Sequence, residues 1–135
     1  MKKIVLATTG SLGDLHPFLA LGQSLQRRGH HVAIATTTLY QKAVLNAGLH
    51  FHPMRPDPQE TAAFHRRFMH PRRGPAFAYR RHLAPAIAQS HQDLMAAVRQ
   101  ADLLISQSLA LAAPIVAEET GIPWASAVFQ PMTLF

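Results

Sequence analysis

The sequence predicts an α/β domain: an open, mostly parallel sheet with helices on both faces. Three observations carry that prediction. Short β-branched apolar runs alternate with longer segments of helical periodicity. Gly29, Gly48 and Gly121 each follow such a helical segment, where a left-handed C-cap is expected. The first apolar run opens directly into a polar turn with two glycines, Gly10-Ser11-Leu12-Gly13.

Taken in order, Lys3–Thr8 (KIVLAT) reads as a strand buried on both faces. Pro17 suits a first helical position, and Phe18, Leu21 and Leu25 follow at helical spacing, with Arg27 and Arg28 complementing the C-terminal dipole. His31–Thr37 is a second strand, which makes a βαβ unit with a right-handed crossover. Thr38–Ala47 repeats the helix, and Leu49–Met54 is a third strand whose Pro53 places it at a sheet edge or near its end. Residues 55–74, rich in Pro, Arg and His, read as loop or broken helix. Pro75–Gln100 reads as a long helix kinked at Pro85. Asp102–Ser106, Ala112–Thr120 and Pro123–Phe129 complete the series as strand, helix and strand. Ligands of such Rossmann-like sheets bind beyond the carboxyl ends of the strands, so the segments to search are 8–17, 36–40, 53–75, 106–112 and 129–135.

Composition bounds the chemistry. The 135 residues are 48% hydrophobic and 15% charged, enough for one core without a covalent staple, and they are expected to form a single domain. There is no Cys, which excludes a disulfide framework, a thiolate-ligated zinc and a thiol nucleophile. Met1-Lys2-Lys3 leads into only a short apolar run before Thr8, and no apolar run is long enough to span a bilayer, so a cytoplasmic domain is expected. His50 and His52 share a strand face without an evident third ligand, and no metal site is predicted.

The net charge is +6, and it is concentrated. Residues 55–82 hold seven Arg against Asp57 and Glu60, whereas the rest of the chain is nearly balanced. Arg66, Arg67, Arg72, Arg73, Arg80 and Arg81 are interleaved with Phe64, Phe68, Met69, Phe77 and Tyr79. Basic and apolar residues together fit an anionic membrane surface, at the inner face of the membrane, or a lipid-linked ligand. The other reading is a solvated loop with its aromatics packed inward. The cluster matches no RNA-binding motif, and no nucleic-acid partner is predicted.

The turn after the first strand is the most informative segment. Its G-x-x-G-D pattern lacks the third glycine of a dinucleotide fingerprint, and the second strand ends in Thr36-Thr37-Thr38 rather than an acid. It also lacks the Gly-Lys-Ser/Thr of a P-loop. A flavodoxin-like phosphate loop at Thr8-Thr9-Gly10-Ser11 would place Asp14 where it repels the anion. Two readings of Asp14 stand. It caps the helix, or it is a base that deprotonates a hydroxyl in the crevice over the sheet. An ordinary aspartate, with a pKa of about 3.9, is a weak base unless desolvated or acting late in the reaction. His16 is an alternative base, or a half-buried loop residue.

The stretch from Lys3 to Thr37 resembles the N-terminus of GT-B glycosyltransferases of the family 28/family 1 group. That group includes sterol glucosyltransferases, antibiotic aglycone glycosyltransferases and rhamnolipid rhamnosyltransferases. The resemblance rests on G-x-x-G-D-x-x-P from Gly10 to Pro17 and on a small-apolar helix ending in Arg28-Gly29-His30. A second match runs from Gly121-Ile122-Pro123-Trp124 to Gln130-Pro131-Met132. The resemblance implies one half of a GT-B fold, binding the acceptor and supplying the base, for which Asp14 occupies the family position. It implies inverting transfer of a hexose from a nucleotide sugar (UDP- or dTDP-linked) held by a separate C-terminal domain, with no cofactor bound by this domain. Gly10, Ser11, Leu12, Gly13, His16, Gln107, Ser108 and Gln130 are the implied acceptor-side residues, with Gln107 where plant-type members carry a His-orienting Asp. The donor half is missing from these 135 residues, so the isolated chain is expected to lack transferase activity. A βαβ module that binds a ligand or partner without chemistry is the alternative.

Overall fold

The computed structural model describes residues 1–58 and 61–129; Gln130, one of the expected acceptor-side residues, lies outside them. The chain alternates strand and helix as the sequence implies: β1 (Lys3–Ala7), α1 (Leu12–Arg27), β2 (His31–Thr36), a 3-10 turn (Thr38–Tyr40), α2 (Gln41–Asn46) and β3 (His50–Pro53). There follow α3 (Ala62–Phe68), α4 (Gly74–Phe77), α5 (Ile87–Ala97), β4 (Leu103–Gln107), α6 (Ala113–Thr120) and β5 (Trp124–Ala127). The five strands form one parallel sheet in the order β3-β2-β1-β4-β5. Pro53 ends the edge strand β3, where a missing N–H costs no ladder bond.

Side chains on β1 alternate between two cores, as the two-residue period of a strand requires. Ile4 and Leu6 pack with Phe18 of α1 and Val44 of α2 on one face. Val5 and Ala7 pack with Leu94 of α5 and Val116 of α6 on the other. Gly22 lets α1 approach the sheet: a Cβ there would stand 2.7 Å from Leu49 Cδ1. The Gly-Ile-Pro-Trp segment has a local role. Gly121 closes α6 at φ 71°, and the Trp124 indole N–H donates to Ser106 Oγ at 2.8 Å across the β4–β5 pair.

Two elements depart from the sequence expectation. Helix α1 starts at Leu12, so Pro17 lies in its second turn rather than at its first residue. The start is set instead by Ser11 as N-cap, whose N–H donates to the Asp14 carboxylate three residues on. Residues 74–97 do not form one kinked α-helix. The path runs from α4 through a π-helical turn (Ala78–Leu83) and a 3-10 turn (Ala84–Ala86) into α5. Pro85 lacks the N–H that would bond back four residues, and it sits within the 3-10 turn that follows the π-helical one. No helix among the described residues is long and apolar enough to cross a membrane.

Candidate active site

The strand order reverses direction at β1, which has β2 on one side and β4, reached by the long crossover from β3, on the other. Such a switch point leaves a crevice at the carboxyl ends of the strands. Here the crevice is a cleft of about 590 Å³. Its floor is the turn after β1, from Thr9 to Gly13; Thr37, Leu39 and Tyr40 after β2 form one wall. Phe64, His65, Phe68 and Met69 from α3 and its C-cap, with Ala78, His82 and Leu83 of the π-helical turn, form the other.

The wall is aromatic and packed. Phe64 stacks on Phe68 at 5.7 Å and meets Phe77 and His82 edge-on at 5.6 and 5.3 Å. Burial in this cluster pushes the His82 imidazole below its ordinary pKa, against the opposing pull of the Asp57 charge. The loop that carries the wall is tied down at two points. Asp57 accepts hydrogen bonds from Thr37 Oγ1 (2.6 Å), the Thr38 N–H (2.9 Å) and Thr38 Oγ1 (3.1 Å). Burial would raise the Asp57 carboxyl, but these three bonds together outweigh it and hold it below its ordinary value. Asp93 on α5 accepts a bidentate pair from the Arg55 guanidinium at 2.9 Å and the Arg55 N–H at 2.8 Å. Those bonds hold the Asp93 carboxyl down despite burial.

Asp14 sits in the first turn of α1. Its Oδ2 accepts from the Ser11 N–H at 3.0 Å and the Ser11 hydroxyl at 3.2 Å; its Oδ1 accepts from Gln107 Nε2 at 3.0 Å. Gly10, at φ 123°, makes room for it, since a Cβ there would collide with Asp14 Oδ2. The Tyr40 hydroxyl donates to the Gly10 carbonyl at 3.0 Å. Burial raises the Tyr40 phenol above its ordinary pKa, and the Asp14 charge adds to the effect.

Gly10, Ser11, Leu12 and Gly13 line one cleft, and Phe68, grouped by sequence with the arginines, lines it too. Asp14 adjoins it through Ser11 rather than lining it. Gln107 is buried, only 4% exposed, and bonds Asp14 instead of facing the cleft. His16 is exposed and Ser108 half-buried, and neither lines the cleft. Arg66, Arg67 and Arg73 line a separate groove of about 590 Å³ with Ala63, His70 and Phe77. Helix α3 divides the two, turning Phe64 and Phe68 to the cleft and Ala63, Arg66 and Arg67 to the groove. Arg67 lies 5.9 Å over the Phe77 ring. Arg72, Arg80 and Arg81 are exposed and line neither. Tyr40 and His82 are among the cleft residues that sequence reasoning missed. Tyr40 follows the second strand, in a segment already marked for search, whereas nothing in the sequence signals the π-helical turn that places His82.

Fold and site together define a doubly wound α/β domain with an apolar, carboxylate-flanked cleft at its switch point. A family model described as the glycosyltransferase family 28 N-terminal domain matches residues 4–134, and the chain belongs to that family. It is 31% identical over 136 residues to O-mycaminosyltylonolide 6-deoxyallosyltransferase of Streptomyces fradiae, covering 97% of this chain and 32% of that protein. It is also 31% identical over 136 residues to a sterol 3-beta-glucosyltransferase of Candida albicans, covering 96% of this chain and 9% of that one. The chain thus spans a third or less of these relatives. Among solved structures, the glycosyltransferase SsfS6 of Streptomyces sp. SF2575 superposes with a TM-score of 0.74 at 23% identity, over 99% of this chain and 42% of that one. The calicheamicin glycosyltransferase CalG4 superposes with a TM-score of 0.73 at 20% identity, over 95% of this chain and 32% of that one. These structural likenesses show that the Rossmann-like fold of this chain is that of one part of GT-B glycosyltransferases.

Proposed function

We propose that these residues are the acceptor-binding part of an inverting glycosyltransferase that transfers a hexose to a hydroxyl of an apolar, lipid-like acceptor. The observation that carries the reading is the cleft itself: an aromatic wall facing a turn that the Asp14 carboxylate caps. The apolar body of the acceptor packs against Phe64 and Phe68, and its hydroxyl points to the Gly10–Asp14 turn. Asp14 takes the hydroxyl proton as the acceptor oxygen bonds to the anomeric carbon of the sugar. The bond from that carbon to the diphosphate oxygen breaks, and the nucleoside diphosphate leaves from the opposite face. Acceptor and donor must be held in line for this step, and such positioning supplies much of the rate enhancement. The donor, a UDP- or dTDP-hexose, is held by a separate domain outside these residues. One solved relative is a complex with thymidine diphosphate, which supports a nucleotide-sugar donor. The relatives named for sterol and macrolide acceptors support a polycyclic or macrocyclic alcohol. The arginine groove beside the cleft supports contact with an anionic membrane surface on the cytoplasmic side.

Titration of the labelled chain with a dispersed sterol, followed by amide NMR, tests the acceptor reading. The expected result is shifts at Gly10, Leu39, Phe68 and His82 that Phe68→Asp abolishes. Absence of shifts at the cleft with both a sterol and a macrolide aglycone contradicts it.

A further inference from the structure

Gln107 is the last residue of β4, beside β1 in the sheet, so its side chain emerges where the turn after β1 begins. It is 4% exposed, and a carboxamide that deeply buried needs partners for both its ends. The two partners differ in kind. The Thr9 N–H can only donate, so Oε1 must face it, at 3.3 Å. Nε2 then faces Asp14 Oδ1, at 3.0 Å, and the orientation of the amide is fixed by its neighbours. Among side chains of this size only Gln satisfies both ends: Glu offers no donor when ionised, and Leu offers neither group.

Asp14 itself completes the argument. A carboxylate has about four lone-pair directions. Two donors from Ser11 occupy Oδ2, and Gln107 occupies one direction on Oδ1. Among the described residues, the remaining direction belongs to Oδ1. We propose that Gln107 is a positioning residue for Asp14: it makes Oδ1 the oxygen that receives the acceptor proton and sets the direction in which that oxygen is open. The inference rests on Asp14 being the base. It gives that base a fixed partner in place of a His–Asp dyad, through a neutral amide that orients the carboxylate without adding charge.

Gln107→Glu and Gln107→Leu test it. Carboxyl carbon NMR on the 135-residue chain reads the contact directly. In Gln107→Glu two carboxyl groups face each other at hydrogen-bond distance, so the pair must titrate in two steps, the upper one above the ordinary range of about 4. In the glycosyltransferase carrying this domain, Gln107→Leu lowers kcat on the order of 100-fold with KM unchanged, since misplacing a reacting group costs about that much. Gln107→Glu moves the pH–rate profile upward. Wild-type kcat in Gln107→Leu, or two carboxyls titrating independently in the ordinary range in Gln107→Glu, overturns the proposal. If Gln107→Leu does not fold, the isosteric Gln107→Glu decides alone. Asp14→Asn separates the two claims: retained turnover in that variant removes the base, while the Gln107→Glu titration still reports on the contact.

Discussion

The Tyr40 hydroxyl donates to the Gly10 carbonyl at 3.0 Å, joining the 3-10 turn after β2 to the glycine turn after β1. These are the two turns at the carboxyl ends of β1 and β2 that border the cleft, so one hydrogen bond ties its floor to its wall. Tyr40→Phe keeps the ring and removes the bond. It is expected to cost about 1 kcal/mol, or about 4 °C in Tm. The phenol pKa is raised from 10.0 in the folded chain, first by burial and then by Asp14. The fold therefore favours neutral Tyr40, and the wild-type advantage is fully present below pH 10 and lost as pH rises through the raised pKa. Thermal melts of both proteins from pH 7 to 11 check this: the two curves converge at the alkaline end. A gap that stays constant contradicts it.

His82 behaves in the opposite direction. Its folded pKa is lowered from 6.5 by burial among Phe64 and Phe68, and the Asp57 charge only partly opposes this. A depressed pKa stabilises the fold above the unfolded value and loses that stabilisation as pH falls through the folded one. Denaturant unfolding should show the wild type losing stability below about pH 6.5, with the slope reduced in His82→Phe. Equal slopes in the two proteins remove His82 as the cause.

The arginine groove makes a prediction of its own. Among the described residues, Arg66, Arg67 and Arg73 have no carboxylate partner, and Met69 and Tyr79 are exposed nearby in sequence at 73% and 53%. Each cation near an anionic surface contributes about 1 kcal/mol. The chain should co-sediment with phosphatidylglycerol vesicles and not with phosphatidylcholine vesicles. Replacing Arg66, Arg67 and Arg73 with Ser should weaken this on the order of 100-fold. Equal binding to both lipids contradicts the membrane reading.

Much of this was legible in the residues, for reasons that differ by element. The strands β1 and β2 were readable because a buried parallel strand is a largely apolar run, as KIVLA and HVAIAT are, whereas the exposed edge strand β3, HFHP, was readable by its alternation. The capping role of Asp14 was readable because a carboxylate in a glycine turn at a helix start finds free N–H donors, here that of Ser11, which is the N-cap itself. The start of α1 was misplaced because Pro17 gives the louder signal, yet the bond from the Ser11 N–H to Asp14 sets the boundary. The aromatic wall was half legible: Phe64 and Phe68 stood out in a basic segment, but His82 meets them from a π-helical turn that no residue pattern announces. The pairing of Gln107 with Asp14, across 93 residues, follows from strand order and has no local trace.

Turnover of the Asp14→Asn variant, in the glycosyltransferase that carries this domain, tests the central claim most directly. Asparagine keeps the shape of the side chain and removes its capacity to take a proton, so kcat should fall at least about 100-fold, the usual contribution of a general base, with acceptor KM little changed and Tm lowered by the cap contact that the amide cannot keep. An Asp14→Asn enzyme with near wild-type kcat would contradict the assignment of Asp14 as the base.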